Sequence, residues 1–313
     1  MGTLFRKVAG FIFFFSKKIK HFLWKRIYDR LANTYEYFDW AFMNYGFDYD
    51  DKSNEPPLGD KDEEYRYCIQ LYHHTVEKLA VQDKTVLEVG SGRGGGTSYI
   101  ARYLNPKKIT GIDYSKNAIT LCNRIHNEHN LEFVEGDASD LPMEDDSQDI
   151  VINVESSHCY PSIPQFLSEV KRVLKPGGLF AWTDVCPTQA ADDYEKAFNA
   201  CGMKTIDHYQ ITDNVLRALD ADKINEVKND IIHKSTPFYL KGIIKDFSGL
   251  KDTAIYNTLK NGRTKYYFRI LQNGESNSIR IHSIRTIWRY TLNHTRNHLK
   301  RIFDFFLYCK TIL

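Results

Sequence analysis

A mostly parallel, doubly wound α/β sheet completed by an antiparallel hairpin strand is the fold class that this 313-residue chain predicts. Three observations carry the prediction. Helix-period and strand-period segments alternate strictly from about residue 61 to residue 185, a glycine cluster follows the first strand directly, and the last strand-rich stretch contains an Asn-Gly turn signal. An apolar content of 42% is enough for a sizeable core.

Taken in order, "EEYRYCIQLYHHTVEKLA" reads as a helix, "KTVLEV" as a short buried strand, and the glycines open a second helix running to Leu104. "KKITGID" is a strand, "KNAITLCNRIHNEHN" a helix, and "LEFVEG" and "QDIVINV" are the next two strands. "QFLSEVKRVLKPGG" is a helix stopped by Pro176 and Gly177, followed by the strand "LFAWTDV". Residues 190–258 are expected to form a helical lid, and "YNTLKNGRTKYYFRILQN" is expected to pair strands around Asn261-Gly262.

Charge divides the chain. The formal net charge is only +2, yet residues 1–30 hold eight Lys/Arg against one acid and residues 277–313 hold seven against one. The middle is therefore acidic. Residues 1–60 read as a basic aromatic leader and linker, 61–276 as the α/β domain and 277–313 as a basic amphipathic helix. In that tail Ile281, Ile284, Trp288, Leu292, Leu299, Ile302 and Phe306 share one helical stripe, flanked by arginines. This is the pattern of a helix lying in a membrane interface, so a cytoplasmic protein with peripheral membrane contact is expected. Docking of these ends on the protein's own core or on a dimer partner is the alternative. "VAGFIFFF" near the N-terminus is too short to span a bilayer. The six cysteines are scattered without metal-ligand spacing, which points to no metal site. No recognition motif accompanies the basic ends, so no nucleic-acid partner is expected.

The glycine cluster, "LEVGSGRGGG", lets the backbone turn tightly against a ligand at Gly90, Gly92 and Gly94. Gly90, Gly92 and Gly95 also satisfy G-x-G-x-x-G, so a nicotinamide dehydrogenase is a rival reading. Glu88 lies two residues before the first glycine, Asp113 ends the second strand in "TGIDYS", and Asp137-Ala138 follow the third in "EGDASDLP". Together with "VLKPGGLF", these motifs resemble those of the class I S-adenosylmethionine (SAM)-dependent methyltransferases, which have a Rossmann-like sheet. The resemblance assigns Glu88 and the glycines to the methionine end of SAM, Asp113 to its ribose, and Asp137 with Ala138 to its adenine. Asn153 at the end of the fourth strand joins this set. The bland readings are a helix N-cap for Asp113 and a turn residue for Asp137.

The fourth strand runs into "ESSHCYP", a concentration of polar chemistry at the end of a core strand. His158 is the expected general base and Glu155 its orienting partner, with Ser156, Ser157 and Tyr160 as acceptor contacts. Cys159 is read as a small buried residue. The stretch lacks the N/D-P-P-Y of base-amine methyltransferases. "ESSHCYP", "NLEFVEGDASDLP" and "FLSEVKRVLKPGGLF", with "LYHHT", "DNVLRALD" and "YYFRILQN", resemble the phthiotriol/phenolphthiotriol dimycocerosate O-methyltransferases from about Leu71 to Asn273. That resemblance implies O-methylation of a hydroxyl on a lipid-like or polyketide-like acceptor, with His73 lining the active site. Methylation of carbon or nitrogen, and a SAM-binding membrane protein without catalysis, are the rival functions.

Overall fold

The computed structural model describes residues 40–235 and 241–274. The expected C-terminal helix and most of the expected leader lie outside these residues. After a short helical turn at Asp60–Glu63, the main elements in chain order are α1 (Arg66–Val76), β1 (Thr85–Val89), α2 (Gly95–Tyr103), β2 (Lys108–Asp113), α3 (Lys116–Ile125), β3 (Leu131–Glu135) and β4 (Gln148–Val154). They continue with α4 (Ile163–Val173), β5 (Leu174–Pro187), α5 (Ala191–Ala200), β6 (Lys204–Gln210), α6 (Thr212–Asp220), α7 (Asp222–Ser235), α8 (Lys241–Phe247), α9 (Ala254–Lys260) and β7 (Thr264–Gln272).

The strands form one sheet in the order β3-β2-β1-β4-β5-β7-β6, parallel through β5, with β7 antiparallel to both neighbours. Helices start where the side chains allow it. Ser115 caps α3 by accepting from the Ala118 N–H, and Ser162 caps α4 through the Gln165 N–H. Alternate residues of the central strands feed opposite faces: Ile150, Ile152 and Val154 of β4 enter the core under α1 and α2, whereas Val151 packs with Leu167 and Val170 of α4.

The chain reverses its winding between β1 and β4, which opens a crevice at the carboxyl ends of these strands. One strand was invisible in the expected lid. β6 sits at the sheet edge and is mostly exposed, so it lacks an apolar signature. Asn261-Gly262 ends α9 instead of joining two strands: Gly262 adopts φ +72° and its N–H donates to the Leu259 carbonyl. The strands that flank β7 are β5 and β6. Helix α4 also stops before Pro176, because Leu174 pairs with Gln148 and the residue preceding a proline favours extended backbone.

Residues 40–49, assigned to the leader by composition, pack into the core. Trp40, Phe42, Tyr45, Phe47 and Tyr49 are all buried, and the Phe47 N–H donates to the Tyr67 carbonyl at 2.9 Å. Among the described residues no helix is long and apolar enough to cross a membrane.

Candidate active site

A cleft of about 1070 Å³, including its open mouth, lies at the switch point. Its walls come from the glycine loop, the ends of β2, β3 and β4, and the segment around Trp40 and Met43. Gly90 and Gly92 line it directly, and Gly94 starts α2 in the left-handed conformation with φ +79°. A Cβ on Gly90 would lie 2.5 Å from Ser156 Cβ and 2.7 Å from the Tyr160 hydroxyl. Only glycine fits there.

Asp113 and Asp137 stand in the same wall, as the spacing of their motifs predicts. Asp113 first stabilises the loop: Oδ2 accepts from the Gly92 N–H at 2.9 Å and Oδ1 from the Ser115 N–H at 2.8 Å. Asp137 Oδ1 accepts from the N–H and the hydroxyl of Ser139 at 2.8 and 2.6 Å, and Ala138 adjoins it. Ser156 and Tyr160 also line the cleft, with their oxygens 2.9 Å apart. Asn153 stands behind them, fully buried, and its Nδ2 reaches the Val89 carbonyl, Ser156 and Tyr160 at 2.7–3.0 Å.

Glu88 does not line the cleft. It is buried between α1 and α2, accepting from the Tyr72 hydroxyl at 2.8 Å and from the Thr97 hydroxyl. Burial pushes its carboxyl up to about 7 against those two donors. A carboxyl whose folded pKa exceeds its unfolded value contributes most to stability below the unfolded pKa and loses that contribution as pH rises through the folded one. The Tm of Glu88→Gln relative to the native chain is therefore expected to improve between pH 5 and pH 8, read by thermal melts across that range.

His73 is also displaced from its expected role. Its Nδ1 lies 2.8 Å from the Tyr99 hydroxyl, and His73 is not among the residues that line the cleft. His74 is buried, stacked on Phe47 at 4.1 Å.

The structure separates His158 from Glu155. His158 Nδ1 lies 2.7 Å from Asp184 Oδ1, and the same buried carboxylate accepts from the backbone N–H of His158 and the hydroxyl of Ser157. Ser157 also accepts from the Trp182 indole at 2.8 Å, so it braces the turn instead of meeting an acceptor. Burial opposes charge on the His158 ring, but Cys159 and Asp184 outweigh it and hold the imidazole well above its ordinary range. Nδ1 of His158 is committed to Asp184, and His158 is absent from the cleft wall, so the ring braces the turn and does not face an acceptor bound in the cleft.

Glu155 is in that wall, with a left-handed φ of +46° unusual for a non-glycine residue. Its Oε1 accepts from the Tyr45 N–H at 2.7 Å and from the Tyr266 hydroxyl. Burial pushes the carboxyl up to about 7, while Tyr266, Tyr45 and Lys228 oppose that rise. It titrates where a general base is useful.

Sequence reasoning missed Trp40, Tyr45, Arg93, Asp184 and Tyr266. Arg93 is buried, donates Nε–H to the Trp40 carbonyl and holds its guanidinium 5.0 Å from the Trp40 ring. The aromatic density around residues 35–50 was the available signal for the Trp40 segment.

Comparison with known proteins agrees with this geometry. Residues 87–182 match the methyltransferase domain model. The chain is 39% identical over 232 residues to a probable phthiotriol/phenolphthiotriol dimycocerosates methyltransferase 2 of Mycobacterium ulcerans (strain Agy99), covering 74% of this chain and 88% of that protein. It is 40% identical over 228 residues to a fatty-acid O-methyltransferase of Mycolicibacterium smegmatis (strain ATCC 700084 / mc(2)155), covering 73% and 81%. The crystal structure of the [4+2]-cyclase SpnF superposes with a TM-score of 0.61 at 18% identity, over 80% of this chain and 95% of that one, which is a likeness of fold alone.

The glycine cradle without room for Cβ atoms and the Asp113 and Asp137 carboxylates beside it in the cleft wall fit an adenosyl cofactor. Fold, cleft and matching domain define a SAM-dependent methyltransferase. Within that class, the chain belongs to the phthiotriol/phenolphthiotriol dimycocerosates methyltransferase family.

Proposed function

We propose that the protein transfers a methyl group from SAM to a hydroxyl oxygen of a lipid-like or polyketide-like acceptor, with Glu155 as general base. The observation that carries this reading is the Glu155 carboxylate in the cleft wall. Oε1 is held by two donors and Oε2 makes no hydrogen bond among the described residues. When bound, SAM supplies a methyl carbon made electrophilic by its sulfonium. Gly90, Gly92, Asp113, Asp137 and Ala138 hold the cofactor, with Asn153 steadying Ser156 and Tyr160 behind it. Glu155 Oε2 would take the acceptor's proton as its oxygen bonds to the methyl carbon and the carbon–sulfur bond breaks, with S-adenosylhomocysteine as the leaving group. The His158–Asp184 pair fixes the turn that presents Glu155, Ser156 and Tyr160. The relatives named for lipid substrates support the acceptor class.

Transfer of labelled methyl into a lipid extract, with product analysis, tests the reading. Label recovered in ethers supports it, and label recovered only in esters, on carbon or on nitrogen overturns it. A second reading follows from the same carboxylate, which would stabilise positive charge on an amine or carbocationic acceptor. The same product analysis separates the two.

The basic ends suit attachment at the cytoplasmic face of a membrane. Co-flotation of the full chain with vesicles is expected to rise with anionic lipid content and fall with salt. Equal recovery with neutral vesicles would remove the electrostatic part of this proposal.

A further inference from the structure

Glu155 holds an unusual backbone conformation at the edge of a cleft, so something must keep its side chain in one place. The Glu155 N–H is tied to the Thr183 carbonyl at 2.9 Å, which anchors the backbone but leaves the carboxylate to its own partners. The groups that face it come from several elements. They are Tyr45 from the segment before α1, Cys68 and Tyr72 from α1, Asp184 from β5, Lys228 from α7 and Tyr266 from β7. Most are occupied elsewhere. The Tyr72 hydroxyl donates to Glu88, the Lys228 ammonium donates to the Ser248 carbonyl at 2.8 Å, and Asp184 binds the His158 turn. Among the described residues, Tyr266 is the one side chain that donates a hydrogen bond to Glu155.

We propose that Tyr266 is the positioning residue for Glu155: its hydroxyl pins Oε1 and leaves Oε2 to receive the acceptor proton. This rests on the reading of Glu155 as the base. The placement of Tyr266 suits the role. Its side chain is fully buried, its backbone N–H donates to the Thr212 hydroxyl at 2.9 Å, its carbonyl accepts from the Ile211 N–H at 2.9 Å, and it pairs with Val185 across β5 and β7. The ring cannot wander. Burial, reinforced by the charge of Glu155, holds the phenol well above its ordinary range, so it remains a donor wherever the enzyme works. A donor to a carboxylate favours the ionised form, and its loss makes the carboxyl harder to deprotonate.

The test uses the full-length protein labelled with ¹³C at the glutamate carboxyls, without ligands, and the Glu155 resonance is assigned by its disappearance in Glu155→Gln. In the native chain that resonance is expected to titrate near 7. In Tyr266→Phe its midpoint is expected to rise by about one pH unit, and the acid limb of kcat with it, a tenfold loss of ionised base well below the midpoint. Replacing Tyr266 by 3-fluorotyrosine keeps the shape but strengthens the donor, so the midpoint is expected to fall. A resonance unmoved by Tyr266→Phe in a protein with a native melt overturns the proposal. If Tyr266→Phe does not fold, failure of the fluorinated variant to lower the midpoint overturns it instead. Full turnover in Glu155→Gln overturns the base assignment itself, and that outcome is distinct because it does not depend on either change at position 266.

Discussion

Glu155→Gln is expected to lower kcat by about 10²- to 10⁴-fold while SAM affinity, read by isothermal titration, stays within a few-fold of the native value. The substitution keeps the shape and one hydrogen-bond acceptor but removes the site for the proton. Turnover of the native enzyme is expected to rise with pH through about 7, as the buried carboxyl ionises, and that limb should vanish in Glu155→Gln. His158→Ala serves as the comparison. Its ring is paired with Asp184 and stands outside the cleft wall, so its loss is expected to cost much less turnover and to leave the acid limb in place. Equal losses in the two variants, with the limb displaced in His158→Ala, would return the base role to His158.

Gly90→Ala is expected to weaken SAM binding by more than tenfold, measured by the same titration. The residue has φ +82°, and the added Cβ would press into Ser156 and Tyr160. Neither can give way easily, because Ser156 is tied to Asn153 and to the Val89 carbonyl, and Tyr160 is tied to both Ser156 and Asn153. Gly177→Ala separates strain from crowding. Gly177 has φ +77° but nothing within 4 Å of an added Cβ, so that change should cost about 1 kcal/mol of stability and leave SAM affinity unchanged. If Gly90→Ala binds SAM as tightly as the native chain, the glycine loop is not the cofactor's seat.

The cofactor side of the site was legible because its residues are bound to local backbone geometry. Gly90 must turn where no side chain fits, Asp113 ends β2, and Asp137 lies two residues beyond β3. The acceptor side was not. His158 and Glu155 are three residues apart and look like partners, yet Glu155 turns into the cleft through its left-handed backbone while His158 faces β5. Periodicity carries no information about such a turn. Asp184 in "LFAWTDV" and Tyr266 in "TKYYFRILQ" read as ordinary strand residues until the sheet places β5 beside β4 and β7 beside β5.

By itself, the sequence determined the α/β class, the strand-end location of the cleft and the cofactor, since each follows from short-range patterns of apolar period, glycine and strand-terminal acid. Only the tertiary structure decided that Glu88 braces two helices, that residues 40–49 belong to the core, and that Glu155 rather than His158 faces the cleft. These outcomes depend on which side chains meet in the folded chain, whether 16 residues apart as Tyr72 and Glu88 are or 111 apart as Glu155 and Tyr266 are. Long-range burial and pairing set both the position of a carboxyl and the pH at which it gives up its proton.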